Sequence, residues 1–398
     1  MPLPEKIRLV VLFGGRSAEH DISRVSASHV LRAVDPDRYE VVPVAITRTG
    51  EWQIAEQAAE LLSERRGTEL PDALAVQGPV VDALALLRPD HPDDHPTSPA
   101  DDPTDDGAAH RVELPTVVLP TVVLPILHGP NGEDGTVQGL LELSGVPYVG
   151  SGVLGSAVAM DKAMAKTVLH AERIPQPAWR TVQRHVIDSD PNLLDRLIVD
   201  LGPTVFVKPA NMGSSIGVSK ATGVEALRAA LDEALRYDDV AVVEESVDGR
   251  ELECGVLGND HPRASTVGEI VPGAEFYDYE DKYAAGVART VVPAELDPSK
   301  MEAARALALR AFQALRAEGM ARVDMFLVGD ELMVNEINTI PGFTPISMYP
   351  MLWQASGVTY SDLIDELVEL ALERHRRRSR RSTDRTDRTE PDRTVRTT

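Results

Sequence analysis

The chain of 398 residues contains a single cysteine, Cys254, and only 4% aromatic residues. One thiol cannot build an internal disulfide framework or a cysteine-based zinc site, and it fits a reducing compartment with Cys254 as a small core residue. Long apolar runs are missing as well. The run in MPLPEKIRLVVLFGG is too short to cross a bilayer and meets Gly14-Gly15 where a signal peptide needs a longer hydrophobic region, so it reads as a first strand. No later stretch is long enough for a membrane-spanning helix, and a soluble cytoplasmic protein without membrane insertion is expected. Positive charge is in deficit: 40 Lys and Arg face 63 Asp and Glu, a formal net charge of −23. That balance argues against binding nucleic acid, because neutralising phosphates takes clustered basic residues on one face. Small molecules are the expected partners.

The length and the 43% hydrophobic content predict two or three domains. IRLVVLFGG reads as a buried strand, EHDISRVSASHVLRAV as a helix with Ile22, Val25, Val30 and Leu31 on its apolar face, and YEVVPVAIT as a second strand. Together they form a βαβ unit with a glycine-rich first turn. In TVVLPTVVLPILHG the prolines confine the sheet strand to about 122–127. DKAMAKTVLHAERIP reads as a helix stopped near Pro175, TVFVKPA and VAVVEESV as strands, and MEAARALALRAFQALRAEG as an amphipathic helix with Gly319 as its stop signal. MARVDMFLVGDELMVNEIN predicts a hairpin turning at Gly329-Asp330.

Two segments carry a disordered composition. Residues 89–110 form an acidic, proline-rich insert; Pro92 and Pro96 prevent the helix that would align His91 with His95 as metal ligands. From Arg374 to the end, ten Arg face four acids, which predicts a disordered tail over 374–398, with a polyanion or membrane-surface contact as the alternative.

Chemistry concentrates in four stretches. In NEINTIPGFTPIS, Glu336 and Asn338 are two apart on a strand and point to one face. Asp324, on the neighbouring strand of the hairpin, supplies a third oxygen, and oxygen donors without His or Cys suit magnesium or manganese, hence nucleotide phosphates. In VKPANMGSSIGVSK, Lys208 ends a strand, and Gly213, Ser214, Ser215 and Gly217 make either an ordinary turn or a cradle of amides and hydroxyls for phosphate. The order is not that of a Walker loop. VVEESVDGRE is either a solvated acidic turn or a nucleotide pocket in which backbone groups from Glu244 and Glu245 to Val247 meet adenine and Glu251 takes the ribose. FYDYEDKYAAG has the polarity and aromatics of a lid.

In order, GGRSAEHDIS, LHGPNGEDGTVQGLLELSGVPYVGSG, AMDKAMAK, VKPANMGSSIGVSK, VVEESVDGRELECGVL, YDYEDKY, ARVDMF and NEINTIPGFTPISMYP make the chain resemble the D-alanine–D-alanine ligase family of the ATP-grasp superfamily, from Ile7 to about Glu373. The resemblance implies a three-domain α/β architecture: a doubly wound N-terminal domain to about residue 150, a small central subdomain over 151–243, and a larger catalytic lobe over 244–373, with ATP between the last two. It implies ATP-driven condensation of two D-alanines through an acyl phosphate, with two magnesium ions (manganese as substitute), in a homodimer serving cell-wall synthesis.

Residue by residue, the resemblance assigns Glu19 to the first D-alanine's ammonium, with His128 and Glu133 beside it. Ser214 and Tyr283 join Glu19 in closing the lid, and Lys162, Lys208, Ser215 and Lys282 serve the phosphates. Arg322 and the Gly342 amide stabilise the tetrahedral intermediate. Asp324, Glu336 and Asn338 hold the metals, and Ser347 with the Met348 amide holds the second D-alanine's carboxylate. Plainer readings stand beside some of these: His128 as a core histidine, Ser347 as a helix cap, Lys162 as a solvated lysine. Tyr283 favours D-alanine as second substrate, since relatives making D-alanyl-D-lactate typically carry Phe there. His20-Asp21 replaces a common Arg-Glu. D-lactate or D-serine ligation is the nearest alternative, and a non-catalytic nucleotide-sensing scaffold is the alternative of another class.

Overall fold

The apolar N-terminal run forms β1 (Ile7–Gly14), buried along its whole length. Its alternate residues enter two different cores, Leu9, Val11 and Phe13 on one face and Val10 and Leu12 on the other, as for a parallel strand covered on both sides. The structure is a computed structural model that describes residues 6–64, 66–87, 119–271 and 289–381. β2 (Tyr39–Ile46) and β4 (Thr121–Ile126) flank β1 in parallel, and β3 (Trp52–Ile54) adds an antiparallel edge. The connecting helix His20–Ala33 buries Ser23, Ser26, Ala27, Ser28, Val30 and Leu31, so small residues rather than Ile22 and Val25 make its contact face. Ser23 accepts from the Gly14 amide at 2.7 Å and donates to the Ile126 carbonyl, tying the ends of β1 and β4 together.

A second sheet, wholly antiparallel, runs in the order β5-β8-β6-β7: β5 (Trp179–Gln183), β6 (Thr204–Pro209), β7 (Ser219–Thr222) and β8 (Val240–Glu245). Its core starts at Val182. Ala159, Ala165, Leu169 and Ile174, on and after the helices Val153–Met160 and Lys162–Ala171, pack instead into the core of the third sheet. Residues 153–174 thus share the core of the third sheet, whereas the resemblance groups them with the central subdomain.

The third sheet has the order β11-β10-β9-β12-β13: β9 (Arg250–Gly258), β10 (Arg263–Val271), β11 (Arg289–Val291), β12 (Gly319–Val328) and β13 (Glu331–Asn338). The hairpin between β12 and β13 is as predicted. The long helix is Pro298–Ala314, and Gly319 opens β12 instead of ending the helix. One face of the sheet, with Leu252, Cys254, Val256, Val323, Met325, Val334 and Ile337, packs on that helix's Ala304, Ala308, Ala311 and Phe312. A bulge decides what the other face carries. Asp324 pairs with Glu336 but Met325 with Val334, which leaves Asn335 as the extra residue and lets Val334 face the core while Glu336 faces away from it.

The helix Tyr360–Ser379 closes the molecule against the N-terminal core through Leu363, Ile364, Leu367, Val368 and Ala371. The tail expected from Arg374 is therefore corrected: the helix continues because its apolar stripe hands over to Arg374, which is buried. The Arg374 guanidinium donates to the carbonyls of Gly150 and, at 2.7 Å, Tyr148, and lies 4.1 Å from the Tyr148 ring centroid. Arg377 and Arg378 pair with Glu318 and Glu142. A composition-based reading takes clustered arginines for solvated charge; here backbone carbonyls and carboxylates of two other segments neutralise them. Arg374→Met should cost about 2 kcal/mol or more by orphaning two carbonyls, seen as a lower urea midpoint at unchanged slope. An unchanged midpoint would make the arginine a passive occupant. The insert at 89–110 and residues 382–398 lie outside the described residues, and among the described residues no helix is long and apolar enough to cross a membrane.

Candidate active site

On the face of the third sheet opposite its core, strand register builds a row of acids. Asp324 on β12 stands opposite Glu336 on β13 and, on its other side, opposite Glu253 on β9. Arg322 and Asn338 form the next pair along. The Arg322 guanidinium donates from Nε to Asp324 Oδ1 and from a terminal nitrogen to Oδ2, both at 2.7 Å, and its Nε lies 3.0 Å from Glu253 Oε2. Burial opposes the charge of Arg322, but Asp324 and Glu253 outweigh it and hold the guanidinium well above its usual pKa. Asn338 Nδ2 donates to Asp324 Oδ2 at 3.0 Å.

Among the described residues no group of three or more His, Cys, Asp and Glu is arranged to hold a metal. The sheet offers two carboxylates and an amide. That set fits magnesium, which prefers oxygen donors and keeps most of its shell for water and phosphate. It does not fit zinc.

Three lysines converge on this end of the sheet. Lys162, at the start of its helix, donates to the Met212 carbonyl in the glycine-serine turn at 2.6 Å and lies 3.9 Å from Glu336 Oε2. It is no solvated lysine. Lys208 at the end of β6 reaches Glu244 Oε2 at 3.0 Å and Asn335 Oδ1 at 3.3 Å, so the bulged residue itself joins β13 to the small lobe. Lys166, which motif reasoning missed, is 2% exposed with Nζ 3.3 Å from Glu244 Oε1. Its signal was its position one turn after Lys162. Burial opposes ionisation of Glu244, but Lys166 and Lys208 outweigh it and lower its pKa. Burial also pulls Lys166 below the ordinary lysine value against the pull of Glu244, whereas at Lys208 burial is outweighed by Glu244 and Glu336, which hold it above that value, so Lys208 is the cation best placed to meet a polyphosphate. Glu244 thus holds lysines with its side chain, while Glu245 Oε1 accepts from the Ala178 amide at 2.7 Å, which places β8 against the start of β5. Val247 and Glu251 follow at the lobe junction, both half-buried.

The glycine-serine turn meets the N-terminal domain directly. Ser214 and Ser215 adopt left-handed backbone angles (φ 48° and 58°), and Ser214 Oγ donates to Glu19 Oε1 across 195 positions of sequence. Glycines leave this carboxylate its room: a Cβ on Gly129 or Gly213 would come within 2.9 or 3.0 Å of Glu19 Oε2 and displace it. Ser17 Oγ accepts from the Glu19 amide at 3.2 Å and donates to the His128 carbonyl at 2.7 Å. His128 is buried, with Nδ1 3.0 Å from the Ile340 carbonyl, so it links this cluster to the turn after β13. In that turn Gly342 lies beside Ser347, whose Oγ would sit 3.1 Å from an added Cβ. Ser347 stands at the N-cap of the helix Met348–Ala355 without capping it; its Oγ accepts from the Thr344 amide at 3.1 Å. The Met348 amide opens that helix. Lys282 and Tyr283, with the lid stretch, lie outside the described residues.

Glu133 Oε1 accepts from the Gly129 amide at 2.7 Å. Burial, with the neighbouring Glu19 charge, pushes its pKa up to about 8. Because the folded value lies above the unfolded one, the stability it contributes is complete below about pH 4.5 and is lost as pH rises through about 8. Glu133→Gln should lose less stability than the wild type between pH 5 and about 8.5 in urea unfolding. Parallel losses would contradict a proton held at Glu133.

Comparison with known proteins agrees with this geometry. A family model described as "D-ala D-ala ligase N-terminus" matches residues 8–151, and one described as "D-ala D-ala ligase C-terminus" matches residues 168–369. The chain is 44% identical over 375 residues to a D-alanine–D-alanine ligase of Geobacillus kaustophilus, covering 94% of this chain and 96% of that one. Among solved structures, the D-alanine–D-alanine ligase from Coxiella burnetii superimposes with a TM-score of 0.71 at 33% identity, covering 94% of this chain and 97% of the other. The VanG D-Ala:D-Ser ligase from Enterococcus faecalis gives 0.74 at 31%, covering 92% and 99%. Two family models spanning both ends and a near full-length relative lead to one conclusion: the chain belongs to the D-alanine–D-alanine ligase family, a family of ATP-dependent, peptide-bond-forming ligases.

Proposed function

We propose that the chain joins two D-alanines at the expense of ATP, for peptidoglycan precursors in the cytoplasm. The first D-alanine's carboxylate attacks the γ-phosphorus of ATP, giving an acyl phosphate and ADP. The second D-alanine's amine attacks that carbonyl, loses a proton and displaces phosphate. The observation that carries this reading is the convergence of three arrangements: the Asp324–Glu336–Asn338 oxygens, the lysines at Glu244, and the Glu19–Ser214 contact. No enzyme nucleophile is needed, so positioning and charge stabilisation supply the rate.

Each group has a matching task. Lys162 and Lys208 would lie along the phosphates, with Ser215 in the turn and Lys282 from the lid. Backbone groups around Glu245 and Val247 would meet adenine, and Glu251 the ribose. Glu19 would take the first ammonium, with His128 and Glu133 alongside and Tyr283 joining Ser214. Arg322 and the Gly342 amide would stabilise the oxyanion, and Ser347 with the Met348 amide would hold the second carboxylate. Two magnesium ions, or manganese in their place, would be held by Asp324, Glu336 and Asn338 and would neutralise charge on the transferring phosphoryl group. We assign ATP to the junction of the small and large lobes and expect a homodimer.

Likeness to both a D-alanine–D-alanine and a D-Ala:D-Ser ligase leaves the second substrate to Tyr283, which favours D-alanine. The test is phosphate release with ATP, magnesium and D-alanine alone, then with D-serine or D-lactate added, followed by product identification. D-alanyl-D-alanine should dominate near neutral pH. Strong release with D-lactate and little with D-alanine alone would replace this reading, and ATP binding without phosphate release would favour a nucleotide-sensing scaffold.

A further inference from the structure

Arg322 and Asp324 are tightly joined. The guanidinium occupies both oxygens of Asp324, at 2.7 Å each, and the Asn338 amide adds a third donor on Oδ2. With three of its about four acceptor sites taken, this carboxylate is a weak cation ligand until a donor is released. The released arginine cannot simply be left. Its side chain is only 18% exposed, and a charge so far withdrawn from water is unfavourable without a partner.

Glu253 sits where a second partner is required. It is 7% exposed and stands opposite Asp324 on β9, on the side away from Glu336. Its Oε2 already lies 3.0 Å from Arg322 Nε, the same nitrogen that donates to Asp324 Oδ1. The row Glu253, Asp324, Glu336 therefore has two sides: an arginine bridges the first two acids, and the outer side opens toward Glu336 and Lys162. A small rotation of the guanidinium exchanges one carboxylate for the other without moving the arginine off the sheet.

We infer that Glu253 is a positioning residue that takes over Arg322 when Asp324 turns toward a divalent cation, keeping the arginine aimed at the reacting centre while freeing the metal ligand. The inference rests on the metal assignment made above. It explains why an acid the chemistry does not otherwise use is buried in register with the metal-binding pair. Substitution of partners behind metal ligands typically weakens metal affinity about 10–100-fold, and a loss in that range is expected here.

The test is a double-mutant cycle read by metal binding and not by turnover. Full-length protein is saturated with a non-hydrolysable ATP analogue, and Mn²⁺ is titrated with free Mn²⁺ followed by electron paramagnetic resonance. Glu253→Gln should weaken Mn²⁺ binding about tenfold, because Arg322 then depends on Asp324 alone. Adding Arg322→Ala should abolish that penalty, so that the double variant binds Mn²⁺ as Arg322→Ala does. Full-strength binding in Glu253→Gln, or an equal penalty with and without Arg322, overturns the inference; the second result would make Glu253 a mere background charge. Glu336→Ala is the control for the metal assignment. Unchanged Mn²⁺ binding in that control removes the site itself, whereas weakened binding there with none in Glu253→Gln removes only the role of Glu253. Should Glu253→Gln lack a cooperative thermal transition, the same cycle is run with Glu253→Asp, which keeps the charge and shortens its reach, with the same expected outcomes.

Discussion

Replacing Glu336 by alanine should lower turnover about a thousandfold or more while leaving the protein about as stable as the wild type. The activity loss follows from the charge a metal ligand helps to neutralise during phosphoryl transfer, worth several kcal/mol, since a thousandfold corresponds to about 4 kcal/mol. Stability should change little, because opposing effects meet at Glu336. It stands in register with Asp324, which also faces Glu253, and cross-strand like charges are destabilising. Against that, Lys162 lies 3.9 Å away, and Lys166, Lys208 and Arg322 also feel the Glu336 charge. Phosphate release and a thermal melt on the same preparation check both halves. Turnover within tenfold of wild type would sink the metal assignment, and a large fall in melting temperature would mark Glu336 as structural.

Arg322→Lys should lower kcat about 10²–10³-fold, the usual cost of removing a donor to a developing oxyanion, with the KM for ATP changed only slightly. Lysine keeps the charge but not the planar fork. It cannot reproduce two parallel bonds to Asp324 while remaining 3.0 Å from Glu253. Stability should fall in this variant, because the buried Glu253 and the half-buried Asp324 lose their shared partner. Glu336→Ala should thus keep its stability and Arg322→Lys lose some, although both variants lose activity. Steady-state kinetics at saturating D-alanine, with urea unfolding alongside, separates them. An Arg322→Lys enzyme with normal kcat would leave the oxyanion to other donors.

Part of the proposed metal-binding set was legible without any structure. A strand sends residues two apart to one side, so Glu336 and Asn338 had to share a face; the Gly329-Asp330 turn by itself would set Asp324 opposite Asn335, and only the bulge brings it level with Glu336. The order of motifs likewise placed the lysines and the glycine-serine turn in one family of folds, which the family models bear out. Local pattern misled where composition stood in for contact. Arg374, Arg377 and Arg378 read as part of a disordered tail, yet they bind carbonyls and acids contributed by residues 142–150, 260 and 318. Ile22 and Val25 read as core contacts, yet they stay half-buried, and Ser23, Ser26 and Ser28 join Val30 and Leu31 on the buried face, with Ser23 bonded to the end of β1.

What the sequence determined by itself was the orientation of side chains within each strand and helix, and the chemical types available for the site, because both depend on periods of two or 3.6 residues and on residue identity. The tertiary structure decided which distant segments meet: Glu253 opposite Asp324, Lys166 against Glu244, Ser214 on Glu19, and the bulge at Asn335 that turns Val334 and Glu336 to opposite faces. Strand order and register arise from whole-core packing between residues far apart in the chain, and no local period encodes them.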